Sequence, residues 1–114
     1  MIEKRKLPRV RFEARCILLY GDCAHEGKVV NISLVGAMIS LNESAVFPQA
    51  EKCLFKIFAG SNETPEEIEA SVAYSATSCI GIRFLAFDVN SHPQLYSHIE
   101  LLSQNPEKYR VAYP

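Results

Sequence analysis

Residues 29–41 read Val29-Val30-Asn31-Ile32-Ser33-Leu34-Val35-Gly36-Ala37-Met38-Ile39-Ser40-Leu41, two apolar runs separated by a short polar corner. The first run, entered through Gly27-Lys28, is β-branched, a composition that suits a pleated, half-buried strand. Asn31, Ser33 and Gly36 are turn-forming residues, with short side chains that bond to nearby backbone and a glycine without a Cβ. The stretch therefore predicts two strands that meet at a sharp corner, Glu26 to Ile32 and Ala37 to Leu41.

Working outward, Phe12 to Tyr20 is rich in apolar residues and ends at Gly21-Asp22, which predicts a first strand closed by a turn. On the other side, Cys53 to Ala59 alternates Phe55 and Ile57 against Leu54, Lys56 and Phe58, and the polar loop Gly60 to Pro65 follows. From Glu67 to Ser75 the period is again two, which groups Ile68, Ala70, Val72 and Tyr74 on one face. Thr77-Ser78 turns the chain into a sixth strand, Cys79 to Phe87, with Ile80, Ile82 and Phe84 on one side and Gly81 and Arg83 on the other.

The period then changes. Ser91 is a candidate helix cap, Pro93 suits a first turn, and Leu95, Ile99 and Leu102 recur at helical spacing until Asn105-Pro106 ends the pattern. Six short strands with turns between them predict an all-β fold, a six-stranded antiparallel β-barrel with one C-terminal α-helix. The apolar helix face can pack on its own barrel or on a second copy, so a homodimer stays open. The chain divides into a basic arm (1–11), the barrel (12–88) and the helix and tail (89–114), all in one domain.

The 114 residues fit a single domain, and 48% hydrophobic with 22% charged residues is the balance of a packed globular chain. No stretch of about eighteen apolar residues is present, and no apolar run follows the charged start, so neither membrane insertion nor secretion is expected and the cytoplasm is the expected compartment. Cys16, Cys23, Cys53 and Cys79 are widely and irregularly spaced, which favours reduced thiols over a disulfide framework.

The net charge of -1 conceals an asymmetry. Residues 1 to 15 hold six of the twelve basic residues against Glu3 and Glu13, a net +4, which leaves -5 for the remainder. A basic segment on an acidic domain fits a local anion site better than a DNA- or RNA-binding surface, which needs a basic face across the fold.

Within that segment lies Arg5-Lys6-Leu7-Pro8-Arg9, with two guanidinium groups four residues apart. Pro8 disfavours helix at Leu7, so the pair is presented on an extended or turned segment. Guanidinium forks bond phosphate oxygens in pairs, donate to the O6 and N7 of guanine and stack on flat bases. Taken alone, two spaced arginines are a common surface pair, and the Asn31, Ser33, Gly36 corner alone is a plain turn. Other candidates are weaker still: Cys23 and His25 lack a second ligand pair, His92 and His98 are six apart, and Glu63, Glu66, Glu67 and Glu69 read as a solvated face. No catalytic constellation is present, and the chain is not expected to be an enzyme.

The two motifs in this order, RKLPR and then NISLVG, resemble the signature of the PilZ domain, a bacterial receptor for cyclic di-GMP. The strand AMISL, the late GIRF and the closing helix fall where the family has them. The resemblance implies that Arg5 and Arg9 hold the phosphates and stack on or bond to the guanines, that Asn31 and Ser33 bond a guanine edge, and that Gly36 keeps the corner clear. Lys4 departs from the arginine that many members carry directly before the motif; lysine binds phosphate as a point charge but offers no flat plane, so one or two ligand molecules per chain are both open.

The resemblance further implies cyclic di-GMP as ligand with no other cofactor, an arm that ligand ties onto the barrel, and a downstream protein as partner. Two alternatives carry different tests. A degenerate PilZ module binds its partner equally with and without nucleotide, and a single-strand nucleic-acid binder shows steep salt dependence and no preference for a cyclic dinucleotide.

Overall fold

The computed structural model describes residues 9–58, 64–77 and 79–104. Lys4, Arg5 of the first motif, residues 59–63 of the expected fourth strand and loop, Ser78 of the expected turn and Asn105-Pro106 lie outside them. Six strands, β1 (Val10–Tyr20), β2 (Cys23–Ile32), β3 (Gly36–Leu41), β4 (Lys52–Phe58), β5 (Glu66–Ser75) and β6 (Cys79–Phe84), precede one helix, α1 (Pro93–Ser103). The strands close into an antiparallel barrel in the order β1-β2-β3-β6-β5-β4, with β4 pairing back onto β1. Closure removes the free sheet edges that would otherwise invite aggregation.

Alternation fills the barrel. Cys16 and Leu18 of β1, Ile39 of β3, Phe55 and Ile57 of β4, Ile68 and Val72 of β5, and Ile80 and Ile82 of β6 are buried together. Helix α1 lays Leu95 and Ile99 into the same core, and Leu102 packs against it. The apolar helix face is thus used on its own barrel. His98 adds an edge-on contact to Phe12 at 5.2 Å, and the His92 ring bonds the Glu67 carbonyl oxygen through Nε2 at 2.8 Å.

Three expectations change in detail. β1 begins at Val10 rather than Phe12, β2 reaches back to Cys23 because the hairpin ladder continues to the Tyr20–Cys23 pair, and β6 ends at Phe84 rather than Phe87 because its ladder with β5 stops at the Ala70–Phe84 pair. The helix cap position belongs to His92, which makes no side-chain cap bond, rather than to Ser91. The Asp88 carboxylate instead accepts from the amides of Asn90 (2.9 Å) and Ser91 (2.8 Å), and its carbonyl oxygen accepts from the His92 amide (2.9 Å). Those bonds to Ser91 and Asn90 hold the Asp88 carboxyl below its ordinary range.

The third change concerns Tyr74. Strict alternation places it with Val72 in the core, but the β5–β6 register shifts between Val72 and Tyr74, and Tyr74 is 44% exposed. A bulge inserts one extra residue, and a one-residue shift turns every later side chain to the other face.

All four cysteines are free, with Cys16 and Cys53 buried and Cys23 exposed. Burial pushes the Cys16 thiol from 9.0 up to about 12, and Cys53 from 9.0 to about 11. Because the folded state favours the protonated thiol, this stabilisation is complete below about pH 9 and is lost as the pH rises toward the folded values. Denaturant midpoints at pH 8 and pH 11 should therefore differ, with the lower midpoint at pH 11. A thiol reagent at pH 8 should label Cys23 in the native protein, and Cys16 and Cys53 only after unfolding.

Candidate functional site

The site is built at the corner between β2 and β3. The register of those strands shifts between Val29 and Asn31, so that Val29 opposes Ile39 in the core while Asn31 opposes Met38. Without this bulge, Asn31 would follow Val29 into the barrel interior. With it, Asn31 joins the outer face, opposite Arg11 on β1 and Met38 on β3. Asn31 is nevertheless only 5% exposed, and its Oδ1 has no hydrogen-bond partner among the described residues. A buried acceptor left unpaired costs about 1 to 3 kcal/mol, so this oxygen marks a place where a donor is called for.

Ser33 organises the corner from within. It is 1% exposed. Its hydroxyl accepts from the Val35 amide (3.1 Å) and lies 3.5 Å from the Gly36 carbonyl oxygen, to which the Ser33 amide also donates at 2.8 Å. The Val35 carbonyl in turn accepts from Phe84 on β6 at 2.8 Å, which ties the corner to the neighbouring strand. Gly36 opposes Arg83 of β6, and a Cβ added there would meet the Ile82 carbonyl oxygen. The glycine thus lets two strand backbones approach.

The outer face around this corner is basic. Arg11 opposes Asn31, Arg83 opposes Gly36, and both are exposed. Arg9, the described arginine of the first motif, leads into β1, and its charge acts on the Tyr74 phenol. Burial raises that phenol above its ordinary range, Cys79 beside it adds to the rise, and Arg9 opposes it. Met38, Gly81 and Tyr74 complete a row across β3, β6 and β5, since Met38 opposes Gly81 and Gly81 opposes Tyr74. Sequence reasoning leaves these three out of the site; the signal for Gly81 is a glycine placed between Ile80 and Ile82, where a strand has no local need of one.

The opposite end of β2 offers the contrast. A cavity of about 130 Å³ there is lined by Ala24, His25, Glu26, Asn42 and Glu43. Two carboxylates make it unsuited to an anion. The His25 ring packs edge-on against Phe47 at 4.9 Å, a packing role. Among the described residues no group of three or more His, Cys, Asp or Glu side chains is placed to hold a metal, and no helix is long and apolar enough to cross a membrane.

The model of the PilZ domain family matches residues 3–101, and this chain belongs to that family. Among solved structures it is similar to the PilZ domain with c-di-GMP of YcgR from Escherichia coli, at 16% identity and a TM-score of 0.74, covering 93% of this chain and 97% of that one. It is also similar to the inhibitor of motility MotI/DgrA of Bacillus subtilis, at 17% identity and a TM-score of 0.73, where 91% of this chain covers 53% of the other. The Escherichia coli YcgR complex with c-di-GMP matches at 18% identity and a TM-score of 0.65, with 94% of this chain covering 49% of that one. No curated protein matches the sequence.

Proposed function

We propose that this chain is a receptor for cyclic di-GMP that binds the dinucleotide on the outer barrel face at the β2–β3 corner and passes the signal to a partner protein. The observation that carries the reading is the buried Oδ1 of Asn31, without a partner among the described residues, on a face bordered by Arg9, Arg11 and Arg83. A guanine edge supplies N–H donors to such an oxygen, and the phosphates complement guanidinium groups. Arg5 and Arg9 grip phosphate and base, Asn31 reads a guanine edge, and Lys4 adds a point charge for phosphate. Ser33 and Gly36 hold the corner in shape, with the second Ser33 lone pair able to accept from the ligand. The solved PilZ domain of YcgR with c-di-GMP supports the choice of ligand.

Binding ties the arm to the barrel and so changes the surface that a partner meets. Metal and organic cofactors have no part in this reading, and no bond is made or broken. Calorimetric titration of the chain with cyclic di-GMP tests it. Saturable heat with one or two ligands per chain is expected, and no binding at tens of micromolar ligand sinks the proposal.

A further inference from the structure

Tyr74 sits on β5 and Met38 on β3, with β6 between them. The Tyr74 hydroxyl nonetheless donates to Met38 Sδ at 2.6 Å, and Cys79 Sγ lies 3.0 Å from the same sulfur. The phenol therefore reaches over the intervening strand. It crosses at Gly81: a Cβ built there would lie 2.6 Å from Tyr74 Cε1 and 2.7 Å from Cδ1. An aromatic ring is thus laid along the outside of the sheet, held at its hydroxyl end, and 44% of the residue stays exposed.

This ring lies in the row Asn31–Met38–Gly81–Tyr74, the row that contains the unpartnered Asn31 oxygen, and the Arg9 charge acts on its phenol. A flat apolar surface, a cation and a buried acceptor on one face form a set that suits a purine, which offers a π-face to the ring, an electron-rich edge to the cation and N–H donors to the acceptor. A fixed ring also orders little on binding, since its rotamer is already held. We infer that Tyr74, laid over Gly81 and held by Met38, is a stacking floor for one guanine of the ligand, an inference that rests on the cyclic di-GMP reading and adds a contact on β5 to it.

Four forms of the full chain, wild type, Tyr74→Ala, Tyr74→Phe and Gly81→Ala, are titrated with cyclic di-GMP, with thermal melts to check folding. Loss of a base-stacking ring weakens Tyr74→Ala by roughly 10-fold. Tyr74→Phe keeps the ring and stays within about twofold of wild type. Gly81→Ala retains the tyrosine but displaces it, and loses affinity in the manner of Tyr74→Ala; it decides the matter if Tyr74→Ala does not fold. Wild-type binding with equal affinity in Tyr74→Ala, or in a folded Gly81→Ala, overturns the stacking floor alone. A Tyr74→Phe as weak as Tyr74→Ala overturns it too, by assigning the effect to the hydroxyl. Absence of binding by wild type overturns the cyclic di-GMP reading itself.

Discussion

Replacing Arg9 with alanine is expected to weaken cyclic di-GMP binding by about 2 to 4 kcal/mol, roughly 30- to 1000-fold, and to leave the melting temperature nearly unchanged. The size follows from the number of bonds one guanidinium makes. A fork to phosphate and a contact to a base are both charge-assisted, and both vanish together. Stability is expected to change little because Arg9 precedes β1 and lies outside the buried hydrophobic cluster that fills the barrel. Titration of the variant beside its thermal melt separates the two roles. An Arg9→Ala chain that unfolds, yet binds normally per folded molecule, assigns the arginine to structure and removes it from the site.

Gly36→Ala is expected to lower stability by about 1 to 3 kcal/mol, a loss of roughly 5 to 15 °C in melting temperature. The added Cβ meets the Ile82 carbonyl oxygen, a backbone atom that no rotamer change can move. Relief requires β3 and β6 to separate at the Gly36–Arg83 pair, next to the bond from the Phe84 amide to the Val35 carbonyl. Ligand affinity falls as well, because the same corner positions Asn31. A Gly36→Ala chain with an unchanged melt and lost affinity returns the glycine to the role of clearing space for ligand. Differential scanning calorimetry with and without ligand distinguishes these outcomes.

The two glycines of the outer face show how far local reasoning reaches. Gly36 stands in a recognisable Asn-x-Ser-x-x-Gly corner, yet what demands it is the backbone of a strand some 45 residues later in the chain. Gly81 has no motif of its own beyond GIRF, and its neighbour across the ladder, Tyr74, explains it only once the β5 bulge is known. Ser33 carries a similar lesson. Its residue type suits both a base contact and a turn, and only the fold shows the turn bonds that it makes to Val35 and Gly36.

Strand content, the helix, the apolar faces of β4 and β6, and the pairing of an arginine motif with a polar corner were all legible in the amino-acid sequence. Each depends on neighbours within a few residues, through backbone propensity or the two- and 3.6-residue periods. Barrel closure through β3–β6 and β1–β4, and the outward facing of Asn31 and Tyr74, were decided by tertiary structure. A bulge forms where a partner strand sets the register, and that partner is remote in sequence. Because one residue of shift exchanges core for surface, the same Asn31 that alternation alone would bury inside the barrel instead faces outward at the β2–β3 corner, opposite Arg11 and Met38.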